Sequence, residues 1–229
     1  MLETLQNIDS SIFLFFNGHH NPFFDSFMSL YSGRYIWIPM YAALLIVMLR
    51  RFPIAKVLLL LVGIGTTIFI ADQLCASVIR PIFERMRPSN LSNPLSELTH
   101  IVNGYRGGPY GFPSCHAANS FALATFAAIM LRQRGFTLFI LTWAAINCYS
   151  RIYLGVHYPG DLIVGGLIGA AVGMIWYFIT NGIYQALLSA GKIKPTRPPL
   201  YILPSFRGGI NLVEVVGVIT LLIIIFISL

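Results

Sequence analysis

Val57-Leu-Leu-Leu-Leu-Val-Gly-Ile-Gly-Thr-Thr-Ile-Phe-Ile-Ala-Asp-Gln-Leu-Cys-Ala-Ser-Val-Ile79 carries no basic residue and a single acid, Asp72. As a helix rising 1.5 Å per residue it would be about 35 Å long, enough to cross a hydrocarbon layer of about 30 Å. Five other apolar runs flank it: Tyr35 to Leu49, Ala117 to Leu131, Phe136 to Tyr153, Leu162 to Thr180, and Ile210 to Leu229. The runs from Tyr35 and Ala117 are short, so their flanking turns must extend them. Upstream, Ile8 to Met28 mixes Phe and Leu with Asp9, Asn17, His19, His20 and Asp25, a pattern that suits a helix lying in the interface. The expected fold is all-α: a six-transmembrane-helix bundle with an N-terminal interfacial helix and a long extracytoplasmic loop.

Composition agrees. Of 229 residues 56% are hydrophobic and only 10% charged, against about 25% charged in soluble domains, and mean hydropathy is +0.74. Aromatic residues such as Tyr35, Trp37, Tyr149 and Tyr153 sit near the ends of apolar runs, where a bilayer interface favours them. The net charge of +7 resides mostly in short loops, so it reads as membrane topology and not as a nucleic-acid surface. Cys75, Cys115 and Cys148 lack C-x-x-C spacing and are odd in number, which suggests neither a zinc site nor a disulfide framework. Glu3 and Asp9 replace the basic region of a signal peptide, so the mature chain is expected to start at Met1.

Basic residues set the orientation. Arg50, Arg51, Lys56, Arg132, Arg134, Lys192, Lys194, Arg197 and Arg207 fall on one side of the expected spans; Arg34, Arg80, Arg85, Arg87, Arg106 and Arg151 fall on the other. The richer side is expected to be cytoplasmic. The long loop from Arg80 to Pro113 then lies outside, and loops of that length are usually functional or disordered. Gly107 and Gly108 are not followed by Gly-Lys-Ser or Gly-Lys-Thr, so they read as turn or lid residues and not a P-loop. Gly165, Gly169 and Gly173 repeat every fourth residue and offer a smooth face for close helix packing. No soluble domain or repeat is visible, and residues 1–229 read as one unit with its chemistry between 80 and 161 and a last span over 210–229.

Three polar clusters fall at the expected outer ends of the spans: Arg80 to Pro88, Pro113-Ser114-Cys115-His116, and Ser150-Arg151 followed by His157 and Asp161. Polar residues at membrane boundaries are costly unless used or solvated. A phosphate ester needs its oxygens held and balanced, and Arg80, Arg87 and Arg151 offer planar forks for that. Ser114 and Cys115 directly precede an apolar span, which places backbone amides at a helix N-terminus, a favourable site for an anion. His157 and Asp161 are four apart across Pro159-Gly160, so the carboxylate can fix the ring tautomer and stabilise the positive ring formed on phosphoryl transfer. His157 is the expected nucleophile and His116 the general acid, which later activates water. The outer acids Asp25, Glu84, Glu97 and Asp161 form no paired cluster, so no metal and no cofactor are expected. Asp72, Gln73 and Asn147 are possible supporting groups; His19, His20 and His100 are read as interfacial or loop residues.

On these residues the sequence resembles the type 2 phosphatidic acid phosphatase superfamily, whose motifs are K-x6-R-P, P-S-G-H and S-R-x5-H-x3-D. Here they read Arg80-x6-Arg87-Pro88, Pro113-Ser114-Cys115-His116 and Ser150-Arg151-x5-His157-x3-Asp161, with Arg80 in place of Lys and Cys115 in place of Gly. The resemblance implies a metal-independent lipid phosphatase working through a phosphohistidine, with Arg80, Arg87, Ser114, Cys115 and Arg151 around the phosphate. Candidate substrates are undecaprenyl diphosphate, phosphatidic acid, phosphatidylglycerol phosphate or a lipid A type. The expected setting is a bacterial inner membrane with the active site on the periplasmic side. The rivals are a lipid phosphotransferase built on the same pocket and a non-enzymatic lipid or anion transporter.

Overall fold

Apolar residues dominate the chain, and in the computed structural model they form helices throughout. The structure describes residues 2–194, 196–198 and 212–229; Arg207 and the start of the expected last span at Ile210 lie outside them. The helices are α1 (Leu2–Asn17), α2 (Pro22–Tyr31), α3 (Ile38–Arg51), α4 (Ile54–Gln73), α5 (Arg80–Phe83), α6 (Cys115–Leu131), α7 (Arg134–Tyr153), α8 (Pro159–Ser189) and α9 (Leu212–Ser228). A π-helical turn, Leu74–Ile79, joins α4 to α5. Among the described residues the nearest approach to a strand is an isolated bridge between Met86 and Tyr110.

Two of these helical stretches, Ile54–Phe83 and Pro159–Ser189, are long and apolar enough to cross a membrane; α6 and α9 are shorter apolar helices. The first and fourth expected spans are α3 and α7. α3 begins three residues later than expected, because Pro39 occupies its first turn and Tyr35 is left exposed. α8 runs on past Thr180 to Ser189, about 46 Å in all, since no breaker follows and buried Tyr184 continues its inner stripe.

The expected interfacial helix over Ile8 to Met28 is instead two helices. The Asn21 side chain accepts from the Phe24 amide at 2.9 Å, and Pro22 opens α2, so capping chemistry breaks the run after Gly18. α1 turns Asp9, Phe13 and Asn17 inward. Fully buried Asn17 donates to the carbonyls of His100, Ile152 and Tyr153 and accepts from the His100 amide. Its other face leaves Leu5, Ile8, Ile12 and Phe15 exposed.

The tightest packing lies between α6 and α8. A Cβ on Gly165, Gly169 or Gly173 would run into the main chain of Ser114, Ala118 or Ala122 respectively. Glycine every fourth residue therefore lets two backbones touch, as the sequence pattern implied, and it fixes the start of α6 beside the start of α8. At the far end of the bundle Arg51 donates to the Leu131 carbonyl at 3.0 Å, and the Lys56 ammonium lies 5.0 Å from the ring centroids of both Phe52 and Tyr184.

Candidate active site

Asp161 occupies the third position of α8, and its carboxylate has three partners. One oxygen accepts the Tyr158 amide at 3.1 Å, capping the helix, and lies 3.2 Å from Nδ1 of His157; the other accepts from Arg85 at 3.0 Å. With the carboxylate accepting, Nδ1 carries the ring proton and Nε2 presents a lone pair. Arg87 Nη1 approaches that Nε2 to 2.7 Å and donates to the Val156 carbonyl at 2.9 Å. Burial, followed by the charges of Arg87, Arg151 and Arg80, holds His157 well below the usual histidine range, so its ring is neutral at pH 7.

Ser114 joins the two helices. Its amide donates to the Asp161 carbonyl at 3.0 Å, and its hydroxyl accepts from the Ala117 amide at 3.4 Å, which caps α6. Arg80 donates from Nη2 to the Pro113 carbonyl at 3.1 Å and to Cys115 Sγ at 2.9 Å. Cys115 is thus engaged with Arg80, and Cys75, Cys115 and Cys148 are all free thiols, the first and last buried.

Arg80, Arg87 and Arg151 share an unusual condition. Among the described residues none of the three forms an ion pair with a carboxylate, and each has a buried Nε without a hydrogen-bond partner. The Arg151 guanidinium lies 6.0 Å from the centroid of the Tyr105 ring. Burial, with repulsion from Arg80 and Arg151, pulls Arg87 down to about 10. Clustered buried cations without an anion are strained unless an anion joins them.

The long loop folds back over this cluster. Arg87 N donates to the Pro109 carbonyl at 3.2 Å and Gly111 N to the Arg85 carbonyl at 2.8 Å. A Cβ at Gly111 would sit 3.0 Å from Asp161 Oδ2 and 3.4 Å from His157 Nδ1, and one at Gly107, where φ is +72°, 3.1 Å from Arg87 Nε. A side chain at either position would have to push these neighbours aside, and at Gly107 the positive φ adds backbone strain. His116, on the first turn of α6, lines a cavity of about 640 Å³ that runs down between α3, α4, α6 and α7. It therefore stands between the arginine cluster, whose charges it feels, and an apolar space.

Two residues outside the sequence-derived site belong to this network. Arg85 bridges Asp161 and Asp9, 2.7 Å from the latter, and stacks 4.0 Å from the centroid of the Tyr158 ring. Asp9 also accepts from the Gly160 amide at 2.7 Å. The available signal was helical phase: Asp9 shares a face of α1 with Phe13 and Asn17, both fully buried. His100, read as a loop residue, stacks on His20 with centroids 3.7 Å apart and lies 2.9 Å from Asp25, which also accepts from Tyr153 at 2.7 Å. Asp72 accepts from Asn119 at 3.0 Å and lines the cavity with Asn147. Among the described residues no group of three His, Cys, Asp or Glu side chains is placed to hold a metal ion.

Comparison with known proteins gives a consistent picture. Residues 56–184 match the family described as the PAP2 superfamily. The chain is 50% identical to a lipid A 4'-phosphatase of Bacteroides thetaiotaomicron over 82% of this chain and 84% of the relative. It is 35% identical to a lipid A 4'-phosphatase of Porphyromonas gingivalis over 77% of this chain and 74% of the relative. Among solved structures it resembles the crystal structure of Aquifex aeolicus LpxE, with a TM-score of 0.52 and 26% identity, covering 72% of this chain and 92% of the other.

Proposed function

The chain belongs to the PAP2 superfamily and is a membrane lipid phosphatase, and from that basis we propose that it removes a phosphomonoester from a lipid A type glycolipid through a phosphohistidine. The supporting observation is the trio Arg80, Arg87 and Arg151, with Arg87 and Arg151 buried and Arg80 half-buried, none of them in an ion pair with a carboxylate among the described residues. A phosphate dianion supplies the missing charge, and the amides at the start of α6 add donors. The two lipid A 4'-phosphatase relatives favour the glycolipid over the other candidate lipids.

In the first step the Nε2 lone pair of His157 attacks phosphorus while the bond to the lipid oxygen breaks. His116 gives its proton to that oxygen, which leaves as an alcohol. Asp161, at Nδ1, balances the charge of the phosphorylated ring. His116 then takes a proton from water, the hydroxide attacks phosphorus, inorganic phosphate leaves, and His157 regains its lone pair. Arg87, which lies on Nε2 in the free enzyme, must pass its hydrogen bond to the incoming phosphate. Charge neutralisation by arginine gives the divalent ions no task, so activity is expected to survive EDTA.

The same reading places six spans in a bacterial inner membrane, with α1 lying in the interface by its exposed apolar stripe and the site on the periplasmic side. The basic residues at the opposite end, Arg50, Arg51, Arg132 and Arg134, support that orientation. The test is phosphate release by the purified protein from 4'-phosphorylated lipid A, phosphatidic acid, phosphatidylglycerol phosphate and undecaprenyl diphosphate in detergent. Preference for the first is expected; preference for a prenyl or glycerol lipid overturns the substrate assignment. An impermeant thiol reagent on intact spheroplasts should label Asn103→Cys and spare Ser189→Cys, and the reverse pattern overturns the orientation.

A further inference from the structure

The cavity beside His116 is not apolar throughout. One wall is a stripe of α4, Leu61, Ile64, Ile68 and Asp72, spaced to share a helix face; the facing wall comes from α3, with Tyr41, Leu44, Leu45 and Met48. Its lower part is hydrocarbon. Its upper rim, next to His116, carries Arg34, Asp72, Asn119, Ser120 and Asn147. The Asp72 carboxylate accepts from Asn119, whose own Oδ1 is buried without a partner. At about 640 Å³ the space is the size of a small-molecule pocket. The stretch from Leu61 to Asp72 rises about 16 Å along it.

Leu45 of α3 and Leu61 of α4 both line the cavity and are 37% and 40% exposed, so two helices present open hydrocarbon surface there.

We infer that this cavity receives the leaving half of the substrate: a sugar headgroup at the rim of Asp72, Asn119 and Arg34, with one acyl chain laid along Ile64, Ile68 and Leu45 below. This rests on the phosphatase reading above, since it is His116, the assigned proton donor, that faces the cavity. The rim decides the substrate class. A bare polyprenyl chain would cover this rim with hydrocarbon and leave Asn119 Oδ1 without a donor and the Asp72 carboxylate with its protein partners alone, whereas sugar hydroxyls and amides supply further donors. The acyl chain accounts for the lower walls.

The experiment compares specificity ratios within each purified variant, which do not depend on how much protein folds. The probes are glucosamine disaccharide 4'-monophosphates with long or short acyl chains, and a polyprenyl monophosphate, all in detergent micelles. Leu45→Trp and Ile64→Trp, filling the space from opposite walls, should each lower the long-to-short ratio of kcat/KM about tenfold, the equivalent of losing burial for about two methylenes. Asp72→Leu should lower the sugar-lipid to prenyl-lipid ratio about tenfold, as expected when a charged acceptor is lost. Unchanged ratios in wild-type-like variants overturn the inference while the phosphatase reading stands. Absence of phosphate release from every probe by the wild type overturns both.

Discussion

The α6–α8 contact and the gap between α3 and α4 are built on opposite principles. Along the first, glycines let main chain meet main chain, and a single methyl has nowhere to go. Along the second, large side chains surround about 640 Å³ of open space. The closed contact holds the polar network of the proposed site, because it aligns Ser114 with Asp161 and through it His157. The open side bears on what is bound. A lipid phosphatase needs both: fixed geometry where bonds change, and slack where a branched lipid must enter.

That division can be tested by mutation. His157→Ala, in the closed half, should abolish turnover of every substrate and leave no acid-labile phosphoenzyme; trapped phosphate on another residue would contradict the assignment. His116→Ala, at the boundary of the halves, should cost about 10²- to 10⁴-fold on lipid phosphate. It should still form phosphoenzyme from an activated aryl phosphate, whose leaving group needs no proton, and equal loss of that first step on both substrates would remove His116 from its role. Gly169→Val should destabilise the protein by about 3 kcal/mol or more in a detergent thermal melt, since backbone cannot yield to the new side chain. Leu61→Ala, across the gap, should change stability by less than about 1 kcal/mol; matching losses at the two positions would erase the contrast.

Arg85→Met should lower kcat about tenfold with KM little changed, because it frees the Asp161 carboxylate without touching the phosphate; Arg85→Lys should recover part of it, and a change confined to KM would contradict a positioning role. The smallest effect concerns pH. His157 is held neutral in the fold, with its folded pKa below the unfolded value of about 6.5. As pH falls below about 6.5 the unfolded ring takes up a proton first, so stability is lost. His157→Asn should flatten this decline in thermal melts between pH 7 and 5.

The sequence makes the chemistry legible and leaves much of its support unread. Arg80, Arg87, Ser114, Arg151, His157 and Asp161 stand at informative spacings, and they meet because helix starts and ends gather at one end of the bundle. The every-fourth glycines of α8 announce their packing for the same reason, as local periodicity. Arg85 is harder to see, because its partners Asp9 and Asp161 lie far away in the chain and no spacing links them. The break after Gly18 was available in Asn21 and Pro22, yet the apolar content on either side of it outweighed the cap. The cavity has no sequence signature of its own: Tyr41, Leu45, Ile64 and Ile68 look like any core stripe until α3 stands away from α4. Six spans were read from six apolar runs, whereas among the described residues only Ile54–Phe83 and Pro159–Ser189 have the length and composition to cross on their own. The shorter helices would depend on their neighbours and flanking turns.

The wide turn at Leu74–Ile79 has a consequence for phase. A π turn carries an extra residue relative to an α-helix, and one residue is about 100° of rotation. Upstream of it α4 aims Asp72 at Asn119; downstream Arg80 is aimed at Pro113 and Cys115. Rewinding those residues as ordinary α-helix, with none removed, would leave every apolar side chain in a helix still, yet swing Arg80 about 100° away from Pro113 and Cys115. Hydropathy would score the two arrangements alike. The pitch of one turn acts here as a dial, and its setting decides the direction in which Arg80 leaves the helix end.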